Sequence, residues 1–168
     1  MLRLLLTPLR WRYRQKNGVQ GTEPRKEIPN KVLLGLARDM IREGHTATIS
    51  VKGYSMRPFL EHCRDRVILD APVDLKEGDA VLAEIAPGHY VLHRIVRLDG
   101  EEVTLMGDGN VAGTEHCRRT DVAGRVTHYL RPNRTLLASD AKLQRRIRMW
   151  RRLLPVRRYL LFIYKALI

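Results

Sequence analysis

From Thr46 onward the chain keeps a period of two. Ala47, Ile49 and Val51 alternate with Thr46, Thr48 and Ser50, the pattern of a strand with one buried face. Further strands are predicted at Arg66–Leu69, Ala80–Ile85, Tyr90–Leu98, Glu102–Met106 and Arg125–Leu130. Pro87-Gly88 and Asp99-Gly100 are turn dipeptides that separate three of them. Short strands at close spacing, with no helix between them, predict a mainly β body. Ahead of them the period is helical. Asn30 can cap a helix in which Leu33, Leu36, Ala37, Met40 and Ile41 share one face up to Gly44, opposite Lys31, Arg38, Asp39, Arg42 and Glu43. Gly18, Gly21, Pro24 and Pro29, set among polar residues, make 17–29 a linker. After the strands, Ser139 or Asp140 caps a closing helix interrupted at Pro155. The chain thus divides into a tail and linker over 1–29, a body over 30–138 and a C-terminal helix over 139–168, with no internal repeat.

A length of 168 residues suits one domain with one core. A hydrophobic fraction of 44% beside 29% charged residues excludes wholesale disorder. The formal charge of +13 changes the picture through its placement. Residues 1–16 hold five bases and no acid, and residues 139–168 hold nine bases against Asp140, so these two segments carry the whole excess. A neutral body lies between two basic ends.

In both ends the bases alternate with leucines and aromatics. Arg151, Arg152, Arg157 and Arg158 are interleaved with Trp150, Leu153, Tyr159 and Phe162. That mixture fits an anionic lipid headgroup layer and argues against nucleic acid as the partner; the plainer reading is a helix packed on the body with solvated arginines. Neither end spans a bilayer, because Lys165 interrupts the last apolar run and Pro8 and Arg10 break the first. The N-terminus lacks a small-residue cleavage site after an apolar region, so no signal peptide is expected. Cys63 and Cys117 make no disulfide framework and read as free thiols of a reducing compartment. His62-Cys63 and His116-Cys117 lack ligand spacing within each pair, so neither a metal nor another cofactor is expected. A peripheral protein on the cytoplasmic side of a membrane is the expected setting.

Gly53-Tyr54-Ser55-Met56-Arg57-Pro58 leaves a strand and enters a turn. A serine there can sit exposed with its own amide free, as a nucleophile and an oxyanion donor require. In Val91-Leu92-His93-Arg94-Ile95 the histidine shares a strand face with Val91 and Ile95. It can be a satisfied core residue or, as a neutral imidazole, a base for serine. Asp108 in Gly107-Asp108-Gly109-Asn110 follows another strand and can be a turn former.

Together these three segments resemble the boxes of type I signal peptidases and LexA-like serine peptidases. Gly53-Tyr54-Ser55-Met56-Arg57-Pro58 is similar to the serine box, with its Ser-Met dipeptide followed by a proline. The stretch from Gly78-Asp79-Ala80-Val81 to His93-Arg94-Ile95-Val96 looks like the box carrying the general base. Gly107-Asp108-Gly109-Asn110 resembles the third box. Order and spacing agree over roughly 46–127.

The resemblance implies a coiled β-sheet body with an N-terminal helix and a basic C-terminal helix, residues 30–138 forming the peptidase domain. It implies Ser55 as nucleophile and His93 as base, the histidine in place of lysine resembling the endoplasmic-reticulum branch, and Asp108 as the group that orients the imidazole. Gly53, Tyr54, Met56 and Pro58 would border the substrate, an extended peptide or precursor protein with small residues before the cut. Two departures stand out: a charged helix precedes the serine where a membrane span is usual, and Gly53 replaces a hydroxyl residue that can assist the oxyanion. Asp65, after Arg64, keeps an acid whose usual preceding glycine is absent. A LexA-like self-cleaving regulator, an inactive membrane-associated peptide-binding module and a basic RNA-associated protein are the competing readings.

Overall fold

The computed structural model describes residues 30–167, so the N-terminal tail and linker over 1–29, with their expected lipid contact, lie outside the described residues. The helix α1, Asn30–Arg42, leads into strands β1 (Ala47–Ser50), β2 (Arg66–Asp70), β3 (Ala80–Ala86), β4 (His89–Asp99), β5 (Glu102–Met106), β6 (Glu115–Arg118), β7 (Val122–Arg131) and β8 (Arg134–Leu137). Helices α2 (Ala141–Arg152) and α3 (Arg157–Ala166) close the described chain, joined by a short 3₁₀ turn at Leu154–Val156. The closing helix is interrupted at Pro155, as expected, and so forms two helices, because Pro155 has no amide to continue the ladder. Asp140 is the cap of α2: its side chain accepts from the Leu143 amide.

All the strand pairings are antiparallel, in the order β1-β2-β7-β3-β4-β5-β6. The long β7 turns a corner. Its first half pairs with β3 and its last residues pair with β8. The sheet separates two clusters. Leu82 and Leu92 point into one with Val67, Leu69 and Tyr129, whereas Val81, Val91 and Ile95 join Val103 and Leu105 in the other. Burial on both faces explains why β3 and the middle of β4 read as nearly continuous apolar runs.

The helix α1 lies across the first cluster through Ala37 and Ile41, with Leu34 partly buried beside them. Leu33, Leu36 and Met40, expected on the buried face, stay 44 to 53% exposed. The apolar stripe is wider than the strip of sheet it meets. The C-terminal helices pack on the body through Leu143, Ile147 and Leu161. No helix among the described residues is long and apolar enough to cross a membrane.

Candidate active site

The loop between β1 and β2 carries Ser55 and is closed at its base by backbone bonds. The Val51 amide donates to Asp65 O at 2.9 Å and the Cys63 amide donates to Val51 O at 2.8 Å. Asp65 is fully buried there; its carboxylate accepts from the Glu61 amide and from Arg64. Burial pushes the Asp65 carboxyl up, but the Arg64 hydrogen bonds and the Glu61 amide outweigh it and hold its pKa below the usual carboxylate value. Gly53 takes φ +93°, which a side chain would strain, and its amide donates to His62 Nδ1. Met56 is buried and anchors the loop in the core, Tyr54 stands out in solvent, and Pro58, after a cis bond to Arg57, is half-buried. Ser55 is half-buried, and among the described residues neither its amide nor that of Met56 makes a hydrogen bond.

The turn after β5 presses directly on this loop. The Gly109 amide donates to Ser55 O at 2.7 Å. A Cβ on Gly107 would meet Ser55 O at 2.5 Å, and one on Gly109 would meet Tyr54 O at 2.6 Å. Both glycines are therefore required by close backbone approach.

Ser55 and His93 line one cleft of about 470 Å³, together with Leu33, Ile49, Tyr90 and Leu92. No hydrogen bond joins the two side chains. The walls of the cleft include two strand edges that pair with no other strand among the described residues: β1 ends the strand order, and β4 does not meet β5 until Arg94. His93 is 6% exposed, and its Nδ1 donates to Glu115 Oε2 at 2.9 Å. With Nδ1 carrying the hydrogen, Nε2 is left as an acceptor.

Asp108, expected beside the imidazole, is elsewhere. Both of its carboxylate oxygens are committed to Arg94, at 2.8 Å from Nε and 2.5 Å from Nη2. His93 and Arg94 are consecutive in a strand and leave opposite faces, so one carboxylate cannot serve both. Burial works against the Arg94 charge, yet Asp108 and Tyr129 together outweigh it and raise its pKa. Arg94 also donates to Gly78 O and lies over the Phe59 ring. Glu115 holds the place expected for Asp108. No apolar alternation or turn signal in Thr114-Glu115-His116-Cys117 marks it in the sequence.

The C-terminal helices are fastened to the same two loops. Trp150 Nε1 donates to Asp108 O at 2.8 Å, Arg157 donates to Asn110 O at 2.9 Å, and Tyr164 donates to Glu61 Oε1 at 2.7 Å. Three residues expected at a lipid surface are therefore engaged within the protein. Arg157 is buried, Trp150 packs against Phe59, and Arg151 binds Glu77 and Val96 O. Arg152 and Arg158 are exposed, as is Phe162 at 76%.

Cys63 and Cys117 are free; burial pushes the Cys117 thiol up to about 11. Among the described residues no group of three or more His, Cys, Asp or Glu is arranged to hold a metal ion.

No curated protein and no solved structure matches the chain. A family model described as Peptidase S24-like matches residues 17–127, which include the Ser55 loop, β3, β4 and the Gly107–Asn110 turn. The match ends within β7, before β8, α2 and α3. The chain belongs to this Peptidase S24-like family of serine peptidases and self-cleaving proteins.

Proposed function

We propose that the chain is a serine endopeptidase of the histidine-base, signal-peptidase-like kind, cutting an extended leader, signal or precursor peptide. The observation that carries the reading is the shared cleft of Ser55 and His93, with His93 Nδ1 bonded to Glu115. A peptide enters between the open edges of β1 and the start of β4 by strand addition. Ser55 Oγ attacks the scissile carbonyl carbon while its proton passes to His93 Nε2. Glu115 fixes the ring and stabilises the imidazolium. The Ser55 amide, which makes no hydrogen bond among the described residues, donates to the oxyanion. As the tetrahedral intermediate collapses, the C–N bond breaks and the imidazolium proton goes to the leaving amine. Water then attacks the acyl carbon and gives a proton to His93 Nε2; the bond from that carbon to Ser55 Oγ breaks, the imidazolium returns the proton to Oγ, and the acid is released.

Peripheral attachment to an anionic membrane, on its cytoplasmic side, goes with this reading. Tyr159, Ile163 and Leu167 recur at helical spacing and are 54 to 79% exposed, with Arg152 close by in sequence. The test is a peptide library incubated with wild type, Ser55→Ala and His93→Ala in the presence of anionic vesicles. Cleavage lost in both variants is expected. A library left intact while the chain itself is shortened would favour a self-cleaving regulator, and variants as active as wild type would overturn the reading.

A further inference from the structure

Ser55 borders a second cleft, of about 480 Å³, on the side formed by the Gly107–Asn110 turn and α3. Two kinds of residue in its lining matter here. Arg57, Arg158 and Lys165 bring positive charge; Val111, Leu161 and Phe162 add apolar surface, Leu161 buried and the other two exposed. No aspartate or glutamate is among its lining residues. Arg57 is ion-paired with Glu61 at 2.9 Å and lies against the Tyr54 ring, so Arg158 and Lys165 supply the less compensated charge. Arg158 and Lys165 are exposed on the face of α3 that also presents Leu161 and Phe162, at spacings of three, four and seven residues. This face differs from the outward one carrying Tyr159 and Ile163.

The wall is fixed, not loosely apposed. Leu161 is buried, Tyr164 is bonded to Glu61, and Arg157 holds Asn110 O at one rim of the cleft. The helix that supplies Arg158 and Lys165 lies beyond the family match at 17–127.

We infer that this second cleft is a specificity subsite for substrate peptides that carry acidic residues adjoining an apolar one, immediately to one side of the scissile bond. The inference rests on the peptidase reading above and adds the substrate class. Charge complementarity selects the occupant. An acidic side chain placed beside Ser55 meets Arg158 and Lys165 together, whereas the chain's own first sixteen residues, with five bases and no acid, are repelled. A self-cut in that basic segment is disfavoured on the same ground.

The experiment uses the full chain and small-residue fluorogenic peptides in which each position in turn carries Glu, Ala or Lys. For wild type, kcat/KM for Glu is expected to exceed that for Lys by about tenfold at one or two adjacent positions on one side of the cut. In Arg158→Glu/Lys165→Glu the ratio inverts, and each single reversal moves it part of the way. A ratio that is the same in wild type and the double variant overturns the subsite. If wild type cleaves no peptide, the peptidase reading fails by itself. The subsite is then decided on Ser55→Ala by fluorescence anisotropy with the same peptides: tighter binding of the Glu series, lost on charge reversal, supports it, and equal binding overturns it. Vesicles of anionic lipid form a separate arm. Loss of vesicle sedimentation on charge reversal, with peptide preference untouched, would make the cleft a headgroup site and overturn the proposal.

Discussion

His93 and Arg94 are neighbours in sequence whose side chains leave opposite faces of β4, and each takes a different carboxylate. Glu115, itself partly exposed, holds a buried imidazole at the cleft, whereas Asp108 neutralises a guanidinium that is 1% exposed. Their substitutions should therefore fail differently. Glu115→Gln should lower kcat on the order of a hundredfold, because the imidazole loses its orienting charge. Its thermal midpoint should stay near that of wild type. Asp108→Ala leaves Arg94 buried without its counter-ion and should cost about 3–5 kcal/mol of stability in a denaturant titration. An Asp108 variant as stable as wild type but inactive would restore the orienting role to Asp108. Gly109→Ala places a methyl group against Tyr54 O and should cost about 1–3 kcal/mol. Serine reactivity should fall with it, since the shifted backbone is that of the Ser55 loop. Gly109 was legible in the sequence as part of a box; that its reason is contact with the serine loop was not, because the contact joins segments about fifty residues apart.

At the scale of elements, the alternation of apolar and polar residues predicted β1 to β5 and most of β7, since each has at least one face in a core. It missed β6 and β8 for a physical reason. Both are edge strands whose side chains are largely exposed, and Glu115–Arg118 contains no aliphatic residue to show a period. Missing β6 also hid Glu115, the carboxylate nearest the candidate base. The backbone carbonyl of Asp65 joins the two ends of the loop 51–65, and its buried carboxylate fixes the second end through the Glu61 amide and Arg64. The Asp65 pKa is depressed in the folded chain: burial raises it, and Arg64 and the Glu61 amide lower it further than that. Its contribution is thus present above the ordinary carboxylate value of about 3.9 and is lost as pH falls below that value. Asp65→Asn should cost about 2–3 kcal/mol at neutral pH and flatten the acid limb of a stability-against-pH curve. An acid limb as steep as that of wild type would show that Asp65 is not its source.

Across the whole molecule, the division of charge has a structural counterpart. The neutral body is that of a Peptidase S24-like chain, and the basic C-terminal helices complete the surroundings of its serine loop. Composition revealed the basic end but not which arginines face inward. Arg157, indistinguishable in sequence from Arg158, is buried against Asn110 O. Tyr164→Phe removes the bond to Glu61 and should loosen α3 at a cost of about 1 kcal/mol, with faster amide exchange in α3 than in β3.

The chemistry proposed for the cleft requires Ser55 to be a nucleophile activated by His93. Its most direct test is mass-spectrometric mapping of the adduct left by a serine-directed acylating probe, with labelling rates for wild type, His93→Ala and Glu115→Gln. One adduct is expected, on Ser55, forming at least about a hundredfold more slowly in His93→Ala and at a reduced rate in Glu115→Gln. An adduct on another residue, or labelling of Ser55 at one rate in all three proteins, would contradict it.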